Sequence, residues 1–381
     1  MDSSGASGRR SERGGGPHRS EVEFIVLGSD PFEESGEPDP FLEGLGVLGL
    51  EPAQSALAPH AVPPTSRPVA GFPLETDSSA RPRPTPIRRR RWATTPSLDE
   101  IELPDHAGWL DRLLPAPARR RLAALSHLVE GEAAYDRFGF APDVTRRAFP
   151  FFYALHRAYF RVKSQGAEHL PAEGPAILAS NHGGLLPFDA AMLVVDVVLQ
   201  TDPPRLPRAI VDRWAGSLPW INIFYARVGQ VVGTRENFTD LLDDGQLLLV
   251  FPEGMAGVCK PISQRYRLQH FKVGFVEHAL RAGVPIVPVA VLGSDDQAPI
   301  LYDLKPLARR LGLPMLPITP TFPWLGPLGL VPYPVSYRIV YGQPLCFHDR
   351  FGPGDAGDPR LVRYLTNQVR GAIQQLVDRN R

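Results

Sequence analysis

His182 and Asp189 share one short segment, Ser180-Asn181-His182-Gly183-Gly184-Leu185-Leu186-Pro187-Phe188-Asp189, with an apolar run before it and an apolar stretch after it. An imidazole and a carboxylate on a single loop can act as a base and its orienter. The carboxylate fixes the ring's tautomer and stabilises the imidazolium that appears when the ring takes a proton. The same pair also suits a plain loop residue followed by a helix N-terminal cap. Three further blocks carry chemistry or frame it. Gly229-Gln230-Val231-Val232-Gly233-Thr234-Arg235 combines glycines, which allow close backbone approach, with an arginine able to grip an anionic group through two parallel bonds. Leu247-Leu248-Leu249-Val250-Phe251-Pro252-Glu253-Gly254 stops an apolar run at proline and then presents a carboxylate. Glu253 can bind an acceptor hydroxyl, position a cation, or simply pair with a nearby arginine. Gly283-Val284-Pro285-Ile286-Val287-Pro288-Val289 reads as architecture, a helix stop followed by a strand that can line a cleft.

Elements must bring these blocks together. From about 174 to 293, short apolar runs alternate with helical ones: strands at Ala176–Ala179, Leu206–Val211, Val228–Val232, Leu247–Phe251 and Pro285–Leu292, and helices at Ala190–Leu199, Phe238–Leu242 and Leu268–Ala282. That alternation predicts an α/β fold with a largely parallel sheet flanked by helices, whose functional residues collect beyond the carboxyl ends of the strands. A helical lead-in is expected over 103–163, an α/β core over 164–343 and a C-terminal helix over 358–381, all within one domain spanning 99–381. Within the lead-in, Ala118–Gly131 has helical spacing. A further helix is predicted to begin at Pro150, with Phe151, Phe152, Leu155, Tyr159 and Val162 on one side and His156, Arg157, Arg161 and Lys163 flanking it. Such a helix suits either a membrane interface or an ordinary core. Residues 311–337, rich in Pro with Leu, Phe and Trp, predict an extended apolar loop that either meets a membrane or packs over the sheet.

Composition bounds the remainder. Residues 1–98 are rich in Gly, Ser, Pro and Arg and are predicted to be disordered; they close with Arg88–Arg91 and Trp92, a cluster that can touch anionic headgroups or remain a solvated charge run. Forty-one basic residues balance forty-one acidic ones, which removes any whole-molecule attraction to nucleic acid. Cys259 and Cys346 support neither a disulfide framework nor a cysteine-based zinc site, so a reducing, cytoplasmic setting is expected; no metal and no cofactor are expected either. No apolar run reaches the roughly 18 residues of a spanning helix, and any membrane contact is expected to be peripheral.

In this order and at these separations, the four blocks resemble those of the glycerolipid and lysophospholipid acyltransferase family over about Val162 to Gln343. That family carries a His and an Asp after the first strand, a Gly-rich block ending in Arg, a Phe-Pro-Glu-Gly block and a late Val-Pro-Ile-Val-Pro block. The resemblance implies an enzyme of phospholipid or glycerolipid synthesis in which His182 is the general base and Asp189 its orienter. Arg235, Glu253 and Gly254 would contact substrate, and amides around Gly183 and Gly184 would hold the oxyanion. Acyl-CoA or an acyl carrier protein would be the donor, a lipid hydroxyl the acceptor and a membrane surface the partner. Two departures stand out. Six residues separate His182 from Asp189 where four are usual, a longer spacing like that of monoacylglycerol and diacylglycerol acyltransferases. Met255-Ala256-Gly257 stands where glycerol-phosphate acyltransferases place an arginine, so a phosphate-bearing acceptor would need Arg235, Lys260, Arg265 or Arg267 for its charge. Two rival readings use the same residues: a thioesterase or lipid hydrolase, for which no Gly-x-Ser-x-Gly elbow is present, and a non-catalytic lipid-binding or membrane-tethering protein.

Overall fold

The computed structural model describes residues 98, 101, 112, 114–129, 135–213, 219–311, 313 and 315–381. The disorder expected of 1–98 and the Arg88–Arg91 cluster therefore lie outside the described residues, Leu98 apart. In chain order the strands are β1 (Lys163–Gln165), β2 (Ala176–Ser180), β3 (Arg208–Val211), β4 (Val231–Val232), β5 (Leu247–Val250), β6 (Ile286–Leu292), β7 (Tyr302–Asp303), β8 (Pro317–Ile318) and β9 (Arg338–Tyr341). The helices are α1 (Ala116–Ala124), α2 (Pro142–Ala154), α3 (Phe188–Gln200), α4 (Ile221–Arg227), α5 (Arg235–Asp243), α6 (Met255–Val258), α7 (Gly274–Ala282), α8 (Lys305–Arg310) and α9 (Pro359–Asn380).

The apolar runs decide the sheet. β2, β5 and β6 are buried along their whole length, as strands covered on both faces must be, and they sit side by side at its centre. The sheet has seven strands in the order β1-β9-β6-β2-β5-β3-β4, and every pair is parallel except β6 with β9. The expected α/β architecture is thus present. Side chains sort by the two-residue period of a strand. Ile177, Ala179, Leu248, Val250, Ile286 and Ala290 join one core cluster with residues of α5, α7 and α9. Ala176, Leu178, Leu247, Leu249, Val287 and Val289 join another with Met192, Leu193 and Val197 of α3. Because β6, β2 and β5 are parallel neighbours, the loops leaving their carboxyl ends must emerge together at one edge, and those loops begin at Asn181, Phe251 and Gly293.

Two helices differ from expectation. The helix predicted from Pro150 begins a whole segment earlier, with Pro142 in its first turn, and Pro150 lies inside it. Proline is favoured at the start because the amide it lacks would be unpaired there. The chain then passes through a π-turn, Leu155–Tyr159, that carries His156 into the core. The apolar side that suited either an interface or a core divides accordingly: Phe152, Leu155 and Tyr159 pack against a core cluster, whereas Phe151 stays 61% exposed. The second case is Leu268–Ala282, where only Gly274–Ala282 is helical. Residues ahead of it are diverted into hydrogen bonds with the loop after β5, through Gln269 N to Glu253 Oε2 at 2.6 Å and Lys272 N to Pro252 O at 2.9 Å.

His156 is held by Asp196, a fully buried acid on α3. Its Oδ1 accepts from His156 Nε2 at 3.1 Å and Ser164 Oγ at 2.5 Å, and its Oδ2 from Tyr341 OH at 2.7 Å. One carboxylate thereby ties the π-turn after α2, α3, β1 and β9 together. Asp196→Ala leaves these buried donors without their acceptor and is expected to cost about 3–5 kcal/mol of unfolding free energy, read from urea denaturation. A loss under about 1 kcal/mol would show the acid to be dispensable.

Candidate active site

β2 ends at Ser180, and the side chain of Asn181 continues the ladder beyond it. Its Nδ2 donates to Val291 O at 2.9 Å and its Oδ1 accepts from Val291 N at 2.7 Å, so an amide side chain stands in for the next peptide of the strand. This fixes the chain direction just before His182. The His182 ring stacks on Phe251, with centroids 4.3 Å apart, and its Nδ1 lies 2.6 Å from Asp189 Oδ2. A carboxylate oxygen accepts, so Nδ1 carries the proton and Nε2 the lone pair. Asp189 is completely buried in the first turn of α3, where helix N-terminal amides favour a negative charge. It also accepts from Gly183 N at 3.0 Å and from Ala190 N at 2.8 Å.

A second buried group braces the same loop. Glu253, expected as a substrate contact, has both oxygens occupied within the protein: Oε1 accepts from His182 N at 3.0 Å and Oε2 from Gln269 N at 2.6 Å. Lys260 Nζ stands 3.8 Å from Glu253 Oε2 and 3.3 Å from Asp295 Oδ1, with all three side chains nearly free of solvent. Burial pushes the Glu253 and Asp295 carboxyls upward, and Lys260 opposes the shift in both. Gly257 closes the remaining side. A Cβ there would lie 3.0 Å from His182 Cβ and 2.9 Å from Glu253 Cβ, so a larger residue must displace one of them.

Comparison with known proteins matches this framework. The family model described as Acyltransferase covers residues 161–292, from the approach to β1 through the end of β6. An uncharacterized protein of Mycobacterium tuberculosis is 39% identical over 297 residues, spanning 77% of this chain and 79% of its own. The "DGAT1/2-independent enzyme synthesizing storage lipids" of Gallus gallus is 23% identical, over 59% of this chain and 61% of its own. This chain carries an acyltransferase domain and belongs to one family with the mycobacterial protein. The crystal structure of a 1-acyl-sn-glycerophosphate acyltransferase from Thermotoga maritima aligns at a TM-score of 0.40 and 16% identity, over 71% of this chain and 84% of that one, a likeness too loose to support any reading.

Within this acyltransferase the expected site residues part company. His182, Asp189, Gly183 and Glu253 converge through the bonds above, and Gly254, at φ +52°, turns the chain from β5 into α6. Gly183 N is committed to Asp189, which leaves Gly184 as the glycine amide still available from the expected oxyanion pair. Arg235 stands in the first turn of α5 and pairs with Glu277 Oε2 at 3.6 Å. Exposed Arg265 pairs with half-buried Asp296 at 3.2 Å, so among the cations considered for a phosphate, Lys260, Arg235 and Arg265 each face an acid of the protein. Burial raises the Cys259 thiol to about 12, far from the thiolate that nucleophilic chemistry needs. Sequence reasoning missed Gly257, Asp295 and Gln297. Their only signal was a run of small and polar residues after β5 and β6, which by itself reads as ordinary turn chemistry.

Both raised carboxyls hold protons in the folded state at pH values where the unfolded chain has released them, so their contribution to stability falls as pH rises through that window. Lys260→Met removes the opposing cation. The variant is expected to be less stable than wild type at about pH 8 and to recover part of the deficit near pH 5, measured by urea unfolding across that range. Equal stability at the higher pH would contradict the role given to Lys260.

Proposed function

We propose that this acyltransferase moves a fatty acyl group from a thioester, acyl-CoA or acyl carrier protein, to a hydroxyl of a glycerolipid or lysophospholipid at a membrane surface. The observation that carries the reading is the 2.6 Å bond from His182 Nδ1 to a buried Asp189, which leaves Nε2 as the basic atom. His182 Nε2 takes the acceptor's hydroxyl proton as that oxygen attacks the thioester carbonyl. The tetrahedral intermediate then expels the thiolate by breaking the C–S bond, and the imidazolium returns the proton to sulfur. No covalent enzyme intermediate is needed. Gly184 N is the candidate oxyanion donor, a contribution of about 3 kcal/mol where such donors have been removed. The chicken relative's name, which records storage-lipid synthesis, favours a glyceride among the acceptors.

Membrane contact is supported by apolar side chains held in water. Trp324, Leu325, Leu328 and Val331 project from the proline-rich segment after β8, and Trp220, Ile223 and Phe224 of the α4 region lie exposed beyond α2. No helix among the described residues is long and apolar enough to cross a membrane, so docking rather than spanning is the mode proposed.

His182→Ala and Asp189→Asn are each expected to lower acyl transfer about 10²–10⁴-fold while the far-ultraviolet circular dichroism of the fold is kept; near wild-type rates in either folded variant would refute the assignment. Replacing Trp324, Leu325 and Leu328 together by Ser is expected to weaken co-sedimentation with phospholipid vesicles by at least about tenfold, the worth of burying one large apolar side chain. Undiminished sedimentation would remove this segment from the membrane contact.

A further inference from the structure

The loop between His182 and Asp189 is long for its task, and six residues must fold back before the carboxylate can meet the imidazole. Gln297, in the turn that follows β6, lies against it. This side chain is 1% exposed. Its Nε2 donates to Leu186 O at 3.1 Å and to Gly183 O at 3.4 Å, and its Oε1 accepts from Tyr337 OH at 2.7 Å. The sense of the amide is forced, since two carbonyl oxygens require a donor and only the nitrogen supplies one. Gly184 sits at φ +84°, and a Cβ added there would collide with the Gln297 amide, while a Cβ at Gly183 would collide with Asp295. The two glycines therefore admit these side chains to the underside of the loop. The Gln297 backbone carbonyl meanwhile accepts from Tyr333 N at 2.7 Å, which anchors the residue from the opposite side.

We infer that Gln297 is a positioning residue for acyl transfer: by gripping the Gly183 and Leu186 carbonyls it holds the extended loop in the one shape that seats His182 on Asp189. The inference rests on the His–Asp reading proposed above. The Gln297 side chain bonds to the loop carbonyls and Tyr337 rather than to the imidazole or the carboxylate, so its loss would leave both reacting groups present. What it would lose is their alignment, and misplacement of a reacting group by about 1 Å costs on the order of 10²-fold in rate.

The test uses the full chain with Gln297→Met, which keeps volume and removes the bonds, and Gln297→Glu, which sets an acceptor against the two carbonyls. Steady-state kinetics with an acyl-CoA and a monoacylglycerol are measured beside the His182 Nδ1–H proton resonance, identified by its loss in His182→Ala. Expected are a kcat lowered about 10–100-fold in both variants, KM for the donor within about twofold, and a displaced or broadened Nδ1–H signal. Should Gln297→Met fail to fold, Tyr337→Phe, which removes the donor to Oε1 alone, is expected to lower kcat at least about threefold with the same displaced resonance. Unchanged kcat and unchanged resonance in the folded variants overturn the inference while an inactive His182→Ala leaves the His–Asp reading standing. An active His182→Ala defeats that reading itself, whatever Gln297 does.

Discussion

A carboxylate removed from water must be satisfied by the protein, and Asp189 is removed from it completely. Three donors meet that demand: His182 Nδ1, Gly183 N and Ala190 N, with the amino end of α3 supplying a favourable field. Two of the three come from the loop that carries the histidine. Satisfying the acid and orienting the imidazole are thus a single structural event, and any rearrangement that freed the ring would strand a buried charge. This explains how a glycine-rich loop, flexible by composition, can present a fixed ring.

The sheet makes that event possible and a second buried group makes it rigid. β6, β2 and β5 are parallel neighbours, so residues far apart in sequence leave the sheet at one edge. Glu253, from the end of β5, takes the His182 amide, and Lys260 bridges it to Asp295 from the end of β6. Two acids and one cation out of water are a poor source of stability, because desolvation offsets most of their attraction. Their value lies in direction. The Glu253 oxygens are each assigned to one backbone amide, and an apolar replacement would hold neither the His182 loop nor the segment at Gln269.

Much of this was legible in sequence. Alternating apolar runs gave β2 to β6 to within a few residues, since continuous burial on both faces of β2, β5 and β6 leaves an unmistakable apolar signature, whereas β1, β7, β8 and β9, short strands of two to four residues, were not foreseen. His182, Asp189 and the Phe-Pro-Glu-Gly block could be found because they lie at strand ends, where the periodicity breaks. The two backbone amides that Glu253 accepts from could not be read, because a carboxylate facing a substrate and one facing a backbone amide look alike in sequence. Nor could the start of α2, which the pattern placed at Pro150 and which lies at Pro142. The segment before α7 has helical spacing, yet its amides are drawn to Pro252 and Glu253, and those partners are invisible to any local pattern.

The choice of a neutral amide at position 297 follows from its neighbours. Asp295, in the same turn, already forms an ion pair with Lys260 from the segment after α6, and Gly183 packs against Asp295. A lysine at 297 would supply donors to the loop carbonyls but add a second buried cation with no acid to spare, and a glutamate would face those carbonyls with like partial charge. A neutral carboxamide offers two N–H donors to the loop and an acceptor to Tyr337 without altering the local charge. The long His–Asp loop is thus accompanied here by an amide whose side chain makes three hydrogen bonds, two of them to that loop, just past residue 292 where the family model ends.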